Sequence, residues 1–354
     1  MSVLIFGGRV WDGEKFFRAD VLLKNGIVCK IKENISDSAD FVYDANGKIV
    51  SAGLVDAHVH MRGVSSENFA TSAELSTIPF GVTAAADAWA AHGNRQYIDG
   101  LAVKTVVFAG VEVKSSRAVF DCTRKILADY GSSAIGIKLA FDESNPEIFD
   151  INPLLDVVEF AKENKLLVLV HSTGTPVPMA DIVDNLRAGD ILTHAFHGGK
   201  NNAADDGYRC LLRAKEKGIV VDAGLAGHVH TDFAVFHGAV ERGILPDVIS
   251  SDITRLSAYK RGGIYGLTSC MSIAKGMGMS ECDIFKAVTG VPAKALKREN
   301  EWGILKEGAA ADVCVLSYTE NGYDLTDKCG NRITSDLGYR CDLTIIDGEI
   351  MYRR

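Results

Sequence analysis

What most limits the fold of this chain is an alternation, beginning after Ile49, of short apolar runs with stretches of helical character. Eight such runs can be counted, at 54–60, 82–88, 105–111, 134–140, 166–172, 190–196, 219–224 and 247–252. Near-continuous hydrophobicity suits parallel strands that are covered on both faces by their crossover connections. One crossover helix is legible, with Asn152 as N-cap, Pro153 in the first turn, and Leu154, Leu155, Val158 and Ala161 as an apolar stripe. This pattern predicts an α/β fold, a (β/α)8 TIM-type barrel, with an open doubly wound sheet as the alternative.

The two ends read differently. Residues 1–50 alternate short strands with turns at Gly7-Gly8, Asn25-Gly26 and Asn46-Gly47, and predict a small antiparallel sheet. Short strands return after residue 301, with Asp347-Gly348 as a hairpin turn. The simplest arrangement joins both ends in one small β-sandwich, giving 1–50 as its N-terminal part, 51–300 as the barrel and 301–354 as its C-terminal part.

At 354 residues, 47% hydrophobic and 24% charged, the composition is that of an ordinary globular protein with a sizeable core. No apolar run approaches the roughly 20 residues that a membrane span needs. A net charge of -8 gives no electrostatic reason to bind nucleic acid. The first residues show no basic leader, and the eight cysteines form no CxxC. Both points favour a cytoplasmic setting with reduced thiols, most of them small core residues.

In a barrel the working face is the C-terminal end of the strands, so the polar residues there carry the functional argument. Run one ends DAHVH, and strand alternation puts His58 and His60 on one face. Run four carries Lys138, run five ends in His171, run six holds His194 and His197, and run eight ends in Asp252. Imidazole with carboxylate and no thiolate is the donor set of a catalytic divalent-metal site. Each residue has a plainer reading alone: a histidine can bond a loop carbonyl, and Asp252 can cap a helix. Lys138 is harder to place, because an ammonium in an apolar strand must reach solvent, pair with an acid or be chemically altered.

As a set, GLVDAHVH, GVTAAADA, GIKLAF, LVLVHS, DILTHAFHGG, DVISSD, GVPAKAL and WGILKEGAAADVCVLS span essentially the whole chain. The sequence resembles the amidohydrolase superfamily of metal-dependent hydrolases. Within it the chain looks most like the deacetylase group and is more distantly similar to dihydroorotases and hydantoinases. The resemblance implies a (β/α) barrel with a β-sandwich and two divalent metal ions, zinc first among them. It further implies that His58, His60 and Asp252 hold a buried metal, that His171 and His194 hold a more exposed one, and that Lys138 bridges them as a carbamate derived from carbon dioxide. It transfers no ligand role to His197, which is expected to line the substrate site. Two departures are visible. The deacetylase group has a histidine in a Gly-His-Gly setting after strand seven, whereas here His228 and His230 lie off that register, and Thr254 stands where a histidine usually follows the strand-eight aspartate.

The resulting expectation is a hydrolase that cleaves an amide of a small molecule by a metal-bridging hydroxide, with Asp252 as the catalytic proton shuttle. Two rivals stay open: a cyclic amide or imide hydrolase, and a catalytically silent scaffold on the same fold. Arg62, directly after HVHM, is a candidate reader of an anionic substrate group, with a surface pair to Glu67 as its plainer role. The partner expected is a small molecule, without nucleic acid or membrane, and assembly into a homo-oligomer is left open.

Overall fold

The computed structural model describes residues 1–65, 69–142, 144–226, 229–260, 265–319 and 322–354. Glu67 and His228 lie outside these. Strands Leu54–Val59, Val82–Ala90, Lys104–Gly110, Ala134–Ala140, Leu167–His171, Ile191–Thr193 and Val220–Val221 pair in that order into one curled, wholly parallel sheet. Strictly sequential winding excludes the doubly wound alternative, whose strand order reverses at a switch point.

The eighth run makes no ladder, which corrects the expectation of eight regular strands. It instead touches both edges of the sheet, Val248 bridging Asp222 and Ile253 bridging Val59. The Ala223 N–H donates to the Val248 carbonyl at 3.0 Å, and the Asp252 N–H donates to the His58 carbonyl at 2.8 Å. Regular pairing is interrupted because Gly224, Ala226 and Asp252 adopt φ of +50°, +45° and +43°, values outside the extended region. The expected crossover helix is present as Asn152–Glu163 with Ile151 as its cap residue. Asn152 is therefore its first residue, its amide donating to Asp150, and Leu155 is exposed where Val157 and Phe160 are buried. Buried Val55, Phe108 and Leu169 pack with Ala293 and Trp302, closing one core beneath the polar strand ends.

Both chain ends meet in a second sheet of eight strands, since Ile49–Ala52 pairs antiparallel with Val313–Tyr318. This sheet is mixed rather than antiparallel: Phe41–Asp44 and Ile49–Ala52 run parallel to Ser2–Trp11. Gly7-Gly8, read as a turn, instead lies inside the strand Ser2–Trp11 at a register shift. A Cβ on Gly8 would stand 2.4 Å from Val50 Cγ2, so the glycine serves close strand approach rather than chain reversal. No helix among the described residues is long and apolar enough to cross a membrane.

Candidate metal centre

Reciprocal main-chain bonds set the centre. Asp252 donates its N–H to the His58 carbonyl, and His60 donates its N–H to the Ile253 carbonyl at 3.2 Å. The Asp252 carboxylate consequently enters between the two imidazoles: Oδ1 lies 3.3 Å from His58 Nε2 and 3.2 Å from His60 Nε2. Its Oδ2 lies 3.7 Å from the Nε2 of both His194 and His230. The His171 ring is 4.6 Å from that of His194, and the Lys138 amine is 3.3 Å from His58 Nε2. All six residues expected to hold metal thus come together. His194 and Asp252 reach the group with left-handed backbones, φ +61° and +43°, a strained state for non-glycine residues that is common at functional sites.

Behind these residues lies a layer of hydrogen bonds that the sequence reading did not identify. Thr193 donates its hydroxyl to Asp222 Oδ2 at 2.7 Å, so its contact with His58 Nδ1 at 3.0 Å is one in which the imidazole donates. Ser65 repeats the device for His60: it donates to Asp87 at 2.8 Å and faces His60 Nδ1 at 3.4 Å. His194 Nδ1 donates to the Gly224 carbonyl at 2.6 Å. Each relay holds the proton on Nδ1 and turns the Nε2 lone pair toward Asp252, as metal-binding histidines require. An acid closing an apolar run was the available signal for Asp87 and Asp222, the same signal that singled out Asp252.

Electrostatics agree with this tautomer. Burial, reinforced for His58 by the Lys138 charge and for His194 by His230 and His171, holds both imidazoles well below the ordinary range, so they are neutral. Burial likewise pushes the Lys138 ammonium down to about 7, against the pull of Asp252 and Asp222. Burial opposes ionisation of Asp252, but the imidazoles of His60 and His230 and the Lys138 ammonium around it more than offset it, and the carboxyl stays below its usual value. Lone pairs of neutral imidazoles and a carboxylate therefore converge without a thiolate, which fits a divalent cation.

Among the described residues two groups of three donors, His58, His194 and Asp252, and His171, His194 and His230, have their ligand atoms within 4.8 Å of one another, and His60 adjoins the first through Asp252. The first is the deeper, since the side chain of His58 is 1% exposed whereas those of His171 and His230 are 13% and 17% exposed. His230 is, with His228, a residue that the sequence reading left without a role. The two proposed substrate contacts sit outside these groups. His197 accepts the Gly199 N–H on Nδ1 at 3.0 Å, and its buried Nε2 has no hydrogen-bond partner among the described residues. Arg62 is exposed, directly beyond buried Met61, with its backbone N–H on the Thr71 carbonyl at 2.6 Å.

Gly224 couples the backbone to this chemistry. A Cβ there would stand 2.4 Å from Thr193 Oγ1 and 2.7 Å from His194 Nδ1, at φ +50°. Gly224→Ala is expected to cost about 1–3 kcal/mol of stability through overpacking and to lower metal content by tilting His194. Unfolding midpoints and metal analysis on the same preparation check both effects.

The sequence profile of the amidohydrolase family matches residues 49–351. A deacetylase of Enterococcus faecalis is 26% identical over 99% of this chain and 98% of its own length. A dihydroorotase of Bacillus cereus is 38% identical over 100% of this chain and 99% of its own. Among solved structures, a dihydroorotase superposes with a TM-score of 0.88 at 22% identity, covering 99% of both chains, a likeness of TIM-barrel-type fold.

Proposed function

Since the chain belongs to the amidohydrolase family, we propose that this metal-dependent hydrolase is binuclear and cleaves an N-acyl amide bond of a small molecule, as a deacetylase does. The observation that carries this reading is the convergence of His58, His60, His171 and His194 with Asp252 and a buried Lys138 at the strand ends. The same reading takes the curled sheet as a (β/α)8 barrel over 51–300, and the terminal sheet, 1–50 with 301–354, as a β-sandwich.

In this proposal His58, His60 and Asp252 hold the inner cation and His171 and His194 the outer. Lys138 joins the two as a carbamate, and zinc suits the nitrogen and oxygen donors. Such a pair of cations supplies acidified water and a polarised carbonyl. Everything else falls to the chain. Asp252 takes the proton of the attacking water and passes it to the leaving nitrogen. Thr193 and Asp222 keep His58 in one tautomer throughout, and burial of the whole group strengthens each charge interaction within it. His197 offers its unpaired Nε2 side to the substrate.

A second reading, hydrolysis of a cyclic amide or imide, is favoured by the 38% identity to a dihydroorotase and by Arg62. Metal-replete protein assayed against N-acyl amino acids and cyclic imides separates the two. Turnover of N-acyl amino acids, abolished by chelation, is expected. Turnover of cyclic imides alone assigns the second reading, and turnover of neither overturns both. Arg62 supplies a further expectation under either. If it grips an anionic substrate group, Arg62→Met raises KM for anionic substrates by at least about tenfold, the worth of a charge-assisted hydrogen bond, and leaves neutral ones nearly unchanged. Equal losses on both would show that Arg62 does not read charge.

A further inference from the structure

His230 sits among the proposed metal-binding residues without the Nδ1 bond that holds His58, His60 and His194. Its ring is 4.1 Å from His194 and 4.9 Å from His171, and its Nε2 is 3.7 Å from Asp252 Oδ2. The backbone around it is tightly held. Gly198 donates its N–H to the His230 carbonyl at 3.2 Å, Thr231 bridges His197 and donates its hydroxyl to the Leu225 carbonyl, and Asp232 caps the helix Phe233–Val240. His58, His60 and His194 each have a protein partner on Nδ1, whereas the buried Nδ1 of His230 has none among the described residues. An imidazole fixed by its backbone, crowded against two others and short of a hydrogen bond is costly as mere packing. The cost is recovered if a cation takes one of its nitrogens.

We propose that His230 is a third imidazole ligand of the outer cation, completing with His171 and His194 a three-histidine pocket. This rests on the binuclear reading and adds a residue that the resemblance does not transfer. Both pockets share the Lys138 carbamate of that reading, but the inner one has the charge of Asp252 besides, while the outer one adds only neutral nitrogens. Loss of His230 should accordingly weaken one equivalent of metal and spare the other. The three ligand atoms already lie within 4.8 Å of one another, so binding needs side-chain adjustment only.

Equilibrium dialysis of the whole protein against cobalt(II), with metal analysis and visible absorption, tests the assignment. Wild type should bind two equivalents. His230→Gln should retain the tighter one and weaken the other by at least about 100-fold, more than removal of an outer-layer partner costs. His230→Cys should regain the second equivalent and add a thiolate-to-cobalt charge-transfer band, which a purely structural residue would not produce. The proposal is overturned if His230→Gln binds both equivalents as wild type does, or if His230→Cys holds both cobalt ions without a thiolate band. Should His230→Gln fail to fold, the spectrum of His230→Cys decides. Wild type that binds fewer than two equivalents would instead overturn the binuclear reading itself.

Discussion

Asp252→Asn lowers turnover by about two to four orders of magnitude and leaves most of the metal in place, the range typical of losing a positioned general acid or base. Asparagine keeps the shape of the side chain and an oxygen that can face the cation, but it cannot accept and return a proton. The site magnifies the difference, because Asp252 lies within 3.7 Å of the Nε2 atoms of His58, His60, His194 and His230. Against burial, the imidazoles of His60 and His230 and the Lys138 ammonium around it hold its carboxyl below the ordinary range, so at neutral pH it is ionised and ready to accept. Metal content and kcat measured on the same sample check this. Near wild-type turnover with both metals present would remove Asp252 from the proton path.

Lys138→Ala is expected to lose metal and activity together, and to recover part of both when a short carboxylic acid is supplied. The physical basis is the setting of the amine. Lys138 is 3% exposed, and burial pushes its pKa down to about 7, so a large share is neutral amine at and above neutrality. Only that form carries the lone pair that attacks carbon dioxide, giving an anion whose two oxygens can join two cations. The sign in pH follows. As pH falls below about 7 the amine is held as ammonium, and reloading of stripped protein with metal and bicarbonate should slow, whereas above about 7 it should be near its maximum. Stability moves in the same direction, since between the folded value of about 7 and the ordinary lysine value the unfolded chain binds more protons, and unprotonated Lys138 favours the folded state. Bare ammonium density at Lys138 beside two bound metals would reject the bridge.

What could be read along the chain was whatever depends on local periodicity. Alternation placed His58 and His60 on one face, and apolar runs of strand length located seven strands of the parallel sheet in their order. The Asp347-Gly348 pair marked a hairpin that is present between Tyr339–Ile346 and Glu349–Arg353. The same habits misread Gly7-Gly8, because glycine permits close strand contact as readily as it permits a turn, and local sequence does not say which.

Tertiary structure alone decided the partners of each donor. Thr193 meets Asp222 because neighbouring strands stand in one register and meets His58 because the curled sheet brings its first strand round to its last ones, and Ser65 sits between His60 and Asp87 because the chain turns back after the first strand. His230 reaches His171 and His194 through left-handed turns at Gly224 and Ala226, which no strand or helix period encodes. The sequence by itself determined which side chains could bear lone pairs at strand ends, since that follows from residue type and a two-residue repeat. Which nitrogen of each imidazole faces the cation, and whether a histidine 36 residues from His194 joins it, followed from register and turn geometry, which are properties of the folded chain and not of any short stretch of it.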